Sequence, residues 1–179
     1  MHARRAVELD PLAQLPVTQL AGVLIGAGRY EEALTPLKQA TELGPPMLLT
    51  YLHLGVVYNQ LGRTEEAMAA LEVAAAASGR HPSTLAALAT SFRALGKSAE
   101  VVAIYEELKA RARREYVQNA TLASTAAVAG HMDEAFQLLD RACEDRDSIL
   151  IYCKRYPAFR LLQSDPRMAP IYRRIGLPE

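Results

Sequence analysis

Four glycines, Gly28, Gly62, Gly96 and Gly130, stand 34 residues apart, and their neighbours keep the same period. A basic or imidazole residue follows each one (Arg29, Arg63, Lys97, His131), and an acid stands three residues further on (Glu32, Glu66, Glu100, Glu134). A small or apolar residue comes next at Ala33, Ala67, Val101 and Ala135. Leu37, Leu71, Tyr105 and Leu139 continue the register, and Ala40, Ala74, Leu108 and Ala142 follow three residues on. A chain with such a period folds as a stack of like units stabilised by contacts between neighbours, rather than around one central core.

Each column has a physical reading. The glycine ends a helix where the backbone turns left-handed, a conformation that costs glycine little. The acid falls in the first turn of the next helix and complements its dipole. Apolar positions four and three apart mark that helix's buried stripe. With the glycine set at position 15, whole units run 14–47, 48–81, 82–115 and 116–149. In their first helices, positions 4, 7, 8 and 11 carry Val17, Leu20, Ala21 and Leu24, then Tyr51, Leu54, Gly55 and Tyr58, then Leu85, Leu88, Ala89 and Phe92. The fourth unit has Asn119, Leu122, Ala123 and Ala126, so Asn119 alone departs from an apolar or aromatic pattern. At about 100° per residue these positions share one face, and the small residue at position 8 lets the second helix approach closely.

These columns resemble the tetratricopeptide repeat, a 34-residue helical hairpin with a large residue, Leu, Gly or Ala, and Tyr in its first helix. The second unit carries the pattern most fully, through Tyr51, Leu54, Gly55, Tyr58, Gly62, Ala67, Leu71 and Ala74; the first adds Tyr30 and the closing Pro45. The resemblance implies an all-α, alpha-alpha superhelix. Read backwards, the register places Ala6, Leu9 and Pro11 on the positions of Ala40, Leu43 and Pro45, so residues 1–13 read as the second half of a truncated repeat. Such an opening suggests a fragment or late start of a longer protein. Read forwards, a fifth unit would put Ser164 at the glycine and Pro157 inside the first helix, so 150–179 reads as a capping segment closed by Phe159, Leu162 and Ile171. Asp165 and Pro166 predict the start of its helix and Gly176 the stop. This tail is similar to the end of tetratricopeptide arrays in bacterial winged-helix regulators, nucleotide cyclases and protein kinases. That likeness implies the regulatory part of a larger signalling or transcription protein.

Charge is distributed in a way that bears on function. The first-helix blocks 14–27, 48–61, 82–95 and 116–129 contain one formally charged residue, Arg93. In the resembled fold first helices line a concave surface where partners bind. The face opposite the core stripe yields the candidate protein-binding residues Thr18, Ile25, Leu49, Leu52, Val56, Asn59, Gln60, Thr90, Arg93 and Ser124. Crowding between inner helices accounts for Gly, Ala and Ser in the later units; it does not ask for Ile25, Leu49, Leu52 and Val56, and exposed apolar patches mark partner sites. The expectation is a noncatalytic module that takes a partner helix or peptide in a groove, with Arg93 as its cationic contact. The alternative is self-association or intramolecular docking, with a homo-oligomer formed through the open N-terminal edge. The carboxylate clamp of chaperone-binding members is not expected, because its Lys and Asn places hold Thr18 and Gly22, or Leu52 and Val56.

Twenty Lys plus Arg balance twenty Asp plus Glu, which argues against nucleic acid and anionic membranes as partners. Cys143 and Cys153 are too few for a disulfide framework or a zinc site, which points to a reducing, cytoplasmic setting. His2, His53, His81 and His131 form no i, i+4 ligand pair, and Gly26-Ala27-Gly28 lacks the third glycine and preceding strand of a dinucleotide loop. No catalytic, cofactor-binding or metal-binding residue is assigned.

Overall fold

The computed structural model describes residues 2–178; Met1 and Glu179, the outer residues of the expected half-repeat and cap, lie outside the described residues. The described residues form α1 (His2–Leu9), α2 (Gln14–Gly26), α3 (Tyr30–Glu42), α4 (Leu48–Gln60), α5 (Thr64–Ser78), α6 (Pro82–Ala94), α7 (Ser98–Ala112), α8 (Asn119–Val128), α9 (Met132–Glu144), α10 (Arg160–Gln163) and α11 (Met168–Arg174). Short 3-10 turns at Ser148–Tyr152 and Pro157–Phe159 lie between α9 and α10. The chain divides into two compact units between Ala87 and Leu88, inside α6.

The glycine turns explain the period. Gly28, Gly62, Gly96 and Gly130 have φ of 73°, 73°, 70° and 89°. At each turn the N–H of the following residue donates back to a carbonyl five residues earlier, as in Arg29 N to Leu24 O and His131 N to Ala126 O, both at 2.9 Å. That bond closes the helix and aims the chain into the next one. In the first two repeats the basic residue and the later acid are an ion pair across the first turn: Arg29 Nε donates to Glu32 Oε1 and Arg63 Nε to Glu66 Oε2, both at 2.6 Å. The Arg63 guanidinium also lies 4.7 Å from the centre of the Tyr58 ring.

In the first unit α1 packs on α2, α2 on α3, α3 on α4 and α4 on α5, and α2 also touches α4. Its core holds Val17, Ala21, Leu24, Ala33, Leu37 and Ala40, then Leu54, Ala67, Leu71 and Ala74. In the second unit α8 packs on α9 around Leu122, Ala123, Ala126, Ala135, Leu139 and Ala142. Asn119, the outlier of the core stripe, donates through Nδ2 to Asp145 Oδ2 at 2.7 Å, so it is an end-tie rather than a core residue.

The segment after α9 is irregular, yet it keeps a trace of the register. α10 packs on α8 and α11 on α9. Two ion pairs join residues one period apart: Arg167 Nη1 with Asp133 Oδ1 at 2.7 Å, and Arg174 Nη1 with Asp140 Oδ1 at 2.5 Å. The Arg167 guanidinium also stacks 4.0 Å from the centre of the Phe136 ring. Phe159, Leu162 and Ile171 are buried, as expected of a cap. The helix start expected at Asp165 and Pro166 falls later, at Met168: Asp165 Oδ1 instead accepts the Arg167 N–H at 2.9 Å in a turn ahead of the helix. Gly176, at φ 73°, ends it.

Candidate protein-binding face

The candidate residues fall into two groups once the helices are packed. In the first unit Thr18, Ile25 and Val56 are buried, which corrects the expectation that they offer surface to a partner. The reason lies in the contact between α2 and α4, which covers side chains that an isolated helix would expose. Thr18 and Thr50 join their hydroxyls across it at 2.8 Å. Leu49, Leu52, Asn59 and Gln60 remain partly exposed on α4. They form an uncharged strip, two leucines toward the helix start and two amides toward its end.

Buried behind that strip is His53, on the α4 side that meets α2. Burial pushes its pKa down to about 4, only partly offset by a hydrogen bond with the Thr18 backbone, and Nδ1 has no partner. The ring fits because residue 22 is glycine: a Cβ there would stand 3.1 Å from His53 Cε1. A buried neutral imidazole with one orphaned nitrogen is a packing group and makes no catalytic pair here.

In the second unit Ser124 is buried and donates to the Thr121 carbonyl at 2.9 Å, so it too is withdrawn from any partner. Thr90 is half-buried. Arg93, expected as a cationic contact for a ligand, instead donates from Nη1 to the carbonyl of Val128 at 2.8 Å. Val128 is the last residue of α8, so the guanidinium sits on the negative end of that helix dipole.

Periodicity missed one polar cluster entirely. Asp147, buried after α9, accepts the backbone N–H of Ala120 and the hydroxyl of Tyr116, both at 2.9 Å. It caps α8 from 27 residues away, where the adjacent Gln118 makes no side-chain cap. The signal available in sequence was two acids, Asp145 and Asp147, at the entry to the irregular tail. Among the described residues no group of three or more His, Cys, Asp and Glu is placed to hold a metal ion, and no helix is long and apolar enough to cross a membrane.

Helical hairpins repeating every 34 residues, turned on left-handed glycines, define an all-α repeat protein. The tetratricopeptide repeat family model matches residues 24–91, so that stretch is similar to tetratricopeptide repeats. A solved structure, described as the crystal structure of the APC/C hetero-tetramer Cut9-Hcn1, is similar at a TM-score of 0.67 and 17% identity. The match covers 96% of this chain and 38% of that one, so this chain spans well under half the length of that relative. At that identity the likeness shows the fold, an all-α tetratricopeptide solenoid. No curated protein matches the sequence.

Proposed function

We propose that this chain is a noncatalytic protein-interaction module that receives a partner helix or extended peptide on the open strip of α4. Tetratricopeptide folds mediate protein–protein interaction, and the observation that carries the reading here is the strip itself. Leu49 and Leu52 stay partly exposed beside Asn59 and Gln60 on a helix without a formal charge, while Leu54, Val56 and Val57 are buried. An amphipathic helix or extended segment supplies the complementary apolar side chains, and the amides fix its register. The tail's likeness to the end of bacterial arrays supports a setting in a larger bacterial signalling or transcription protein, in the cytoplasm.

The test follows the corrected geometry. Val56 is buried, so Glu at that position would unsettle the fold and report nothing about binding. Leu49→Glu and Leu52→Glu place charge on the open strip and leave the helical circular dichroism unchanged. Partner capture from the native cell, identified by crosslinking, is expected to fail in both variants and to survive Glu72→Lys on the exposed side of α5. Capture unimpaired by Leu52→Glu sinks the reading.

A further inference from the structure

The contact between α2 and α4 shuts away three side chains that their spacing places on an open face. Thr18 and Ile25 on α2 are fully buried, and Val56 on α4 is 7% exposed. This contact is smaller than the one α2 makes with α3 inside its own hairpin. Thr18 and Thr50 pair their hydroxyls across it at 2.8 Å, and the His53 ring takes the space that a side chain on residue 22 would fill.

That ring suits the contact only while it is neutral. It hydrogen-bonds the Thr18 backbone on α2, and Nδ1 has no partner. In a neutral imidazole Nδ1 is then an idle acceptor, whereas in an imidazolium it becomes a second donor on a buried, unpaired cation. Counter-charge is missing around it. Neither α2 nor α4 carries a formally charged side chain. Glu31, Glu32, Lys38 and Glu42 on α3, and Glu65, Glu66 and Glu72 on α5, are all exposed, and none of them acts on the ring. The phenols Tyr30, Tyr51 and Tyr58 supply no negative charge in acid. A proton therefore binds best where the ring reaches water, with α2 moved off α4.

We propose that the α2/α4 contact opens in acid: protonation of His53 parts the two helices while each keeps its own hairpin partner. Opening uncovers Ile25 and Val56, and Val56 lies one turn from Leu52 on α4, so acid widens the apolar face offered to a partner. That consequence rests on the docking strip proposed above; the opening itself does not. The ring is held down to about 4 in the closed contact against 6.5 in water, so the open form binds more protons between those values. Opening therefore gains as pH falls from 6.5 towards 4 and levels off below, a rise of about 50-fold between pH 7 and pH 4.5.

The test labels the full chain carrying Val56→Cys, and separately Ile25→Cys, with dithiodipyridine, a disulfide that reacts with thiols even in acid. The rate at each site, read by peptide mass, is divided at every pH by that of a short unstructured cysteine peptide, which removes the thiol's own pH dependence. The ratio is expected to rise about 50-fold from pH 7 to pH 4.5 and to stay flat once His53→Gln is added. Leu52→Glu should leave the rise in place. Helical circular dichroism should hold across the range, and Cys153, fully buried in the second unit, should show no matching rise. A flat ratio, an equal rise in the His53→Gln background, a matching rise at Cys153, or helicity lost in step would each overturn the proposal. A rise in labelling alongside partner capture that survives Leu52→Glu would support the opening and count only against the strip.

Discussion

Replacing Gly55 with alanine tests whether α4 and α5 are as close as the structure places them. A Cβ at Gly55 would meet Leu71 Cγ at 2.4 Å, Cδ2 at 2.5 Å and Cδ1 at 3.1 Å. Carbon atoms in ordinary contact stand about 3.5–4.0 Å apart, so the leucine or the whole of α5 must move by about 1 Å. Leu71 is fully buried, so any movement displaces its neighbours. Overpacking of this kind costs about 1–3 kcal/mol, and three simultaneous clashes put the cost near the upper end. Against it stands a gain of about 1 kcal/mol, because alanine is the better residue inside the helix Leu48–Gln60. The net expectation is a loss of about 2 kcal/mol, read as a lower urea midpoint by far-ultraviolet circular dichroism with an unchanged slope. In a Leu71→Ala background the obstacle is gone, and Gly55→Ala should become neutral or stabilising by up to about 1 kcal/mol. The two backgrounds then differ by about 2–3 kcal/mol, the coupling of residues in direct contact. An unchanged or raised midpoint for Gly55→Ala alone, or the same cost in both backgrounds, would refute the close packing of these helices.

Three further outcomes are expected. His53 is held near pKa 4 when folded against 6.5 when exposed, so the unfolded chain binds more protons between those values and stability falls as pH drops through that window. Wild type should lose about 2–3 kcal/mol relative to His53→Gln between pH 7 and pH 4.5, and a difference that stays flat with pH counts against the buried neutral imidazole. Asp147→Ala removes the acceptor of the Ala120 N–H and the Tyr116 hydroxyl, so thermal melting should show a loss of about 1–3 kcal/mol, with amide exchange rising first at the start of α8. Gly26→Ala meets nothing within 4 Å and should be neutral or stabilising by up to about 1 kcal/mol, whereas Gly28→Ala, at φ 73°, should cost about 1–2 kcal/mol; equal effects would deny the left-handed turn.

Hairpins, turns and core stripe were legible in the sequence because each is written locally. A left-handed backbone selects glycine at one residue, and a buried stripe is a spacing of three and four along one helix. Gly28 and its three counterparts and the burial of Leu37, Leu71, Tyr105 and Leu139 follow from those rules. Asn119 shows the limit of the same reading. In the sequence it is only a break in the stripe, and its tie to Asp145 depends on a loop 26 residues away.

Which surface stays open was decided by the tertiary structure. Thr18, Ile25, Val56 and Ser124 lie off the core stripe in sequence, yet all four are buried, while Leu49 and Leu52 keep part of their surface. Arg93 faces outward by its spacing and is nonetheless held on the end of α8. Val23 and Val57 occupy the same place in the period and have opposite exposure. Sequence spacing defines the faces of a helix; burial of a face belongs to a pair of helices, and it exists only where the second one is present.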